Sequence, residues 1–169
     1  MTPWPTKYIY IYLLMVSLAE RNGSYGVQSW VPKSVGFKAD MWRAISSRIL
    51  FASGRASCNG ARMSIISAHA PHEKADDEAK NKFWDALAAV VSECQGKKRT
   101  SVYLLIDANA RCAATRSLAI GPCDEERCNQ NGFRFTEFLE SLNLGPGVTS
   151  TLSQHGHLRG TPDTDWVML

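Results

Sequence analysis

The stretch Tyr103-Leu104-Leu105-Ile106-Asp107-Ala108-Asn109-Ala110 decides the fold. An apolar run stops on an Asp and, two residues later, on an Asn. Such a run reads as a buried strand, and its polar end as the rim of a sheet. Strand side chains alternate between faces, so the spacing predicts Asp107 and Asn109 on one side with Ala108 between them. A carboxylate beside a carboxamide offers a proton acceptor and a neutral hydrogen-bonding group to one substrate atom. The same residues also suit a strand that merely ends in a turn, where Asp and Asn bond their own backbone.

Working outward, residues 73–94 carry a helical pattern: Phe83, Leu87, Val90 and Val91 recur on one face and charged residues fill the other. Before it, residues 62–69 form a nearly continuous β-rich run that ends on His69-Ala70-Pro71-His72. Pro71 cannot continue a central strand, so the chain leaves the sheet there. Residues 25–31 and 47–52 read as earlier short strands. After Ala110, residues 111–130 form a long loop suited to binding. Asn131-Gly132 then opens a second helical pattern with Phe135, Phe138, Leu139 and Leu142 on one face. Thr164-Asp165-Trp166-Val167-Met168-Leu169 looks like the start of a strand. The order β-β-β-α-β-loop-α-β predicts a mixed α/β fold. There is no internal repeat, linker or low-complexity tract.

The chain of 169 residues fits one domain with a real core. Its 44% hydrophobic and 21% charged content are those of an ordinary globular protein. A formal charge of +3 permits contact with a polyanion without arguing for one. Lys97-Lys98-Arg99 suits a solvated helix end that complements the helix dipole. Five cysteines with no C-x-x-C pair disfavour both a disulfide scaffold and a zinc site, and suggest a reducing, intracellular compartment. The N-terminal residues 1–24 have two readings. The apolar run 8–18 after Lys7, followed by Ser17-Leu18-Ala19 and the sequon Asn22-Gly23-Ser24, resembles a signal peptide. Its Tyr-Ile-Tyr-Ile-Tyr start suits a buried strand equally well, and the run is short for a membrane span. Secretion is the less favoured reading, and no membrane partner is expected.

Three apolar segments each meet a polar group with catalytic capability: His69, then Asp107 with Asn109, then Asp165. Strand ends along one sheet rim are where α/β enzymes assemble sites. A possible base, an imidazole, an amide and a further carboxylate suit attack by water on a phosphoryl centre. His69 could equally be a core histidine, and Asp165 a turn cap.

The ordered set SAHAPH, LLIDANAR, NGFRFTEFLESLNL and DTDWVML resembles the endonuclease/exonuclease/phosphatase superfamily, most of all the endonuclease domains of non-LTR retrotransposons and their domesticated relatives. The resemblance spans about residues 25–169 and implies a two-sheet α/β sandwich with helices outside two packed mixed sheets. It implies a metal-dependent phosphodiester hydrolase, a nuclease, with magnesium as cofactor, manganese as a substitute, and nucleic acid, DNA first, as substrate. Matched to the family's GDFNA motif, Asp107 would be the base or water-orienting carboxylate and Asn109 the phosphate-contacting amide. His69 matches the transition-state contact that precedes x-Pro. Asp165 matches the Asp that orients a terminal His.

The family's opening strand with its Asn has no recognisable counterpart. Glu20 is the candidate for its metal-binding Glu, although it lies close before Tyr25. The closing Ser-Asp-His has no position after Asp165. The domain is therefore expected to be partial at both ends, and the chain alone to be weakly active or inactive and poorly stable. The alternatives are a catalytically dead derivative and a non-catalytic interaction module.

Overall fold

The computed structural model describes residues 12–16, 26–32, 36–57, 60–96, 100–112, 127–142 and 166–167. Its strands are β1 (Tyr12–Val16), β2 (Gln28–Pro32), β3 (Phe37–Ser46), β4 (Ile49–Ala56), β5 (Arg62–His69), β6 (Thr100–Asp107) and β7 (Trp166–Val167); its helices are α1 (Asp77–Gln95) and α2 (Gln130–Ser141). The fold is α/β. A five-stranded sheet runs β3-β4-β5-β6-β7, and β1 pairs with β2 in a separate two-stranded sheet. Strand β4 runs antiparallel to both its neighbours, β3 and β5, whereas β5, β6 and β7 run parallel. A parallel neighbour requires a crossover, and α1 is that crossover between β5 and β6.

Why β4 and β5 form the centre follows from their two-sided burial, with β6 beside them buried on its helix-facing side. Phe51, Ile66 and Leu104 are register partners across the sheet and face the helices, packing with Leu87 and Val91 of α1 and Phe138 and Leu139 of α2. One residue along, Leu50 and Ile65 face the other way and pack with Val27 and Val31. Ser29 of β2 and Ser67 of β5 share a 2.5 Å hydrogen bond between the layers. The order of layers is thus helices, five-stranded sheet, then the β1–β2 pair. A strand covered on both faces has no reason to alternate, which is why β5 reads as one continuous run.

The helices start where their caps dictate. Asp76 Oδ1 accepts from the Ala79 amide at 2.7 Å, and Asp77 and Glu78 follow in the first turn, where the dipole favours acids. Residues 73–75, expected to be helical, instead form a turn closed by the Ala75 amide on the His72 carbonyl. Asn129 caps α2 through the Gly132 amide at 2.8 Å.

Two features depart from the sequence reading, and in the N-terminal run the strand is the one of its two readings that is met. The expected strand over 47–52 is a turn at Ser47-Arg48 followed by β4, and β3 before it was not anticipated. The reason is exposure: β3 is an edge strand whose interior is almost wholly solvent-facing, so no apolar period marks it. The N-terminal run contains β1, which joins residues 12–16 to the same folded unit through β2. The two described helices both cover one face of the five-stranded sheet, and Trp30 on the outer side of β2 is 58% exposed. The described residues thus give paired sheets with helices on one outer side. Among them no helix is long and apolar enough to cross a membrane.

Candidate functional site

Strands β5 and β6 are parallel and in register, with His69 opposite Asp107 as their last pair. Register partners share a face, so both side chains stand on the side that carries Ser67, Leu105 and the β1–β2 pair. His69 Nε2 lies 3.9 Å from Asp107 Oδ2, and both side chains are open to solvent, at 43% and 69%. The site is therefore an exposed rim. A groove of about 380 Å³ does lie between α1 and α2, walled by Trp84, Arg134 and Phe138, but it contains neither rim residue.

Asn109 reaches this rim by a different route from strand alternation. The strand ends at Asp107, and Asn109 takes φ +47°, the left-handed region that Asn tolerates. Its amide donates to Asp107 Oδ1 at 3.0 Å, an Asx turn. Its Nδ2 donates to the Ala70 carbonyl at 2.8 Å. The turn reading and the rim reading of these two residues thus hold together. The Asx turn leaves Oδ2 as the Asp107 oxygen facing His69.

The two strand exits are tied to each other and to α2. The Ala70 amide donates to the Asp107 carbonyl at 2.8 Å, which extends the ladder past His69. Arg48 Nη1 donates to the His69 and Ala70 carbonyls at 3.3 and 3.4 Å. Glu73 accepts the Gln130 and Asn131 amides, each at 3.2 Å, so a carboxylate sits on the positive end of α2. Asn129 accepts from the Arg111 amide at 2.9 Å and donates to the Asn109 carbonyl at 3.1 Å. Sequence reasoning missed Arg48, Glu73 and Asn129. Of these, Asn129 was readable, because an Asn just before a helical pattern is a capping signal.

Asp165 and Glu20 lie outside the described residues. Among the described residues no three His, Cys, Asp or Glu side chains are grouped to hold a metal ion. Asp107 is the one exposed carboxylate at the His69 rim contact, and a hard divalent cation needs several oxygen ligands. The described residues therefore do not by themselves fit a magnesium site. No protein-family model matches the chain, and no curated protein matches its sequence. The superfamily resemblance rests on the motifs and their order.

Proposed function

We propose that this chain is a nucleic-acid phosphodiester hydrolase of the retroelement endonuclease type, acting on DNA. The observation that carries the reading is the 3.9 Å approach of His69 to Asp107 at the ends of two parallel strands. That is the place where open α/β sheets present their chemistry. Water attacks phosphorus and its proton passes to Asp107. The P–O bond to the leaving oxygen breaks, and that oxygen takes a proton from solvent. His69 donates to a phosphoryl oxygen. Asn109 joins it, because a carboxamide nitrogen carries two hydrogens and the Ala70 bond uses one. Exposed Arg111 and Arg127, on either side of the long loop, are the phosphate-neutralising groups this reading assigns. Magnesium, or manganese in its place, is the cofactor that goes with the reading. Asp107 is the one ligand the described residues offer it, so no step is derived through the ion.

The compartment that fits is intracellular. Cys94 and Cys112 are packed into the core as small apolar side chains rather than arranged as a surface framework. The test is nicking of supercoiled plasmid by the purified chain with magnesium and with chelator. Magnesium-dependent nicking that Asp107→Asn and His69→Ala each abolish supports the reading. A folded chain that binds plasmid and never nicks it refutes it. A second reading, a derivative that keeps the fold without the chemistry, is favoured by the rim's single carboxylate, since among the described residues no three His, Cys, Asp or Glu side chains are grouped to hold a metal ion. Binding without nicking is the outcome it requires.

A further inference from the structure

Asn131 is fully buried, yet it stands on the apolar stripe of α2, one turn before Phe135. Its Nδ2 donates to the Pro71 carbonyl at 2.8 Å and reaches the Asn109 carbonyl at 3.4 Å. Its Oδ1 is buried without a hydrogen-bond partner. A buried acceptor left unpaired is costly, and an apolar residue of similar size would avoid that cost. The helix start does not require Asn131 either, since Asn129 is the cap. What the side chain does from α2 is reach the backbone of two different strand exits at once. Pro71 follows β5 and Asn109 follows β6, and both carbonyls lie beyond the ladder that would otherwise satisfy them.

We propose that Asn131 is a positioning residue whose carboxamide sets the separation of the β5 and β6 exits and so holds His69 against Asp107. Its consequence for catalysis rests on the hydrolase reading above; its consequence for geometry does not. Two hydrogen bonds report the geometry directly: the Ala70 amide on the Asp107 carbonyl and the Asn109 amide on Asp107 Oδ1. Neither involves Asn131 itself.

The experiment compares Asn131→Leu and Asn131→Ser with the unaltered chain by amide hydrogen exchange, thermal melting and steady-state hydrolysis of a DNA oligonucleotide. Leu removes the donor and the orphan oxygen together; Ser is too short to reach Pro71 and serves if Leu does not fold. Expected is a rise of about tenfold or more in exchange at Ala70 and Asn109, with Ile66 and Leu104 unchanged in mid-strand. With an active chain, kcat falls about tenfold while KM holds, because misplacement at the reacting centre costs rate rather than binding. Exchange that stays unchanged at both amides, or that rises equally through the whole sheet, overturns the proposal. The localised exchange change in a chain that hydrolyses nothing keeps the positioning role and refutes the hydrolase reading alone.

Discussion

Replacing Gly132 with Ala should destabilise this protein, against the usual rule for helices. In an exposed helix interior the change stabilises by about 0.8–1 kcal/mol, because Ala loses less backbone entropy. At Gly132 a Cβ would stand 2.9 Å from the Arg111 carbonyl carbon, nearer still to its oxygen, and 2.7 Å from Cys128 Sγ. The oxygen is the tighter contact, and the Arg111 backbone would have to retreat by about 1 Å or more to relieve it. It is not free to do so, being held by the Asn129 amide on its carbonyl at 3.1 Å and by Asn129 Oδ1 on its own amide at 2.9 Å. Overpacking costs about 1–3 kcal/mol, and stretching those bonds adds to it. A net loss of about 2 kcal/mol is expected, read as a fall of about 1 M in the urea midpoint or about 4–8 °C in Tm. The damage should spread to the rim, since Asn129 also holds the Asn109 carbonyl. A Gly132→Ala chain that melts later than the parent would refute the close approach and with it the anchoring of the β6 exit by α2.

Gly54→Ala makes the matching control: its Cβ would lie 2.8 Å from the Lys38 carbonyl carbon at the bulge of β3, so it should cost about 1–3 kcal/mol in a urea melt while leaving rim exchange rates unchanged. Asp107→Asn keeps an acceptor for the Asn109 amide on an exposed side chain, so stability should move by less than about 0.5 kcal/mol while hydrolysis falls at least a hundredfold. A large drop in Tm would mean that Asp107 serves the turn and not the chemistry. Arg111→Ala and Arg127→Ala should each weaken DNA binding and lower the slope of log K against log salt by about 0.9, measured by anisotropy without divalent metal. Slopes left unchanged would remove both arginines from the interface.

The parts of this fold that the sequence made legible are those where one physical constraint acts alone. β5 is buried on both faces and β6 is buried on one and half-buried on the other, and their ends could be read from the apolar run stopping at His69 and at Asp107. Their adjacency followed from the helix between them, because a crossover helix returns the chain parallel to the strand it left. β3 was invisible because it contributes pairing but little burial, and pairing leaves no mark on composition. Asn109 was read as a rim residue for an inapplicable reason: alternation holds only while the strand continues, and the left-handed φ at Asn109 ends it. The hydrogen bond to Ala70 that now places its side chain spans 39 residues of sequence, which no local pattern reports.

The residues that break the helical patterns explain where the site had to be. On α1, Lys80 is 2% exposed in line with Phe83, Trp84, Leu87 and Val91, and it donates to Gln130 Oε1 at 3.1 Å. On α2, Asn131 is buried in line with Phe135, Phe138 and Leu142. In each helix the polar residue sits in the first turns and the stripe is apolar beyond it. Those first turns are where the chain enters the helices from the exits of β5 and β6. At that end the backbone has left its ladder, so carbonyls such as Pro71 and Asn109 need side-chain donors that an apolar layer cannot supply. His69 and Asp107 are the last register pair before that end, and their side chains are open to solvent there. A polar interruption at the start of an otherwise apolar helical stripe therefore marks, in this protein, the end of the sheet at which chemistry can be presented.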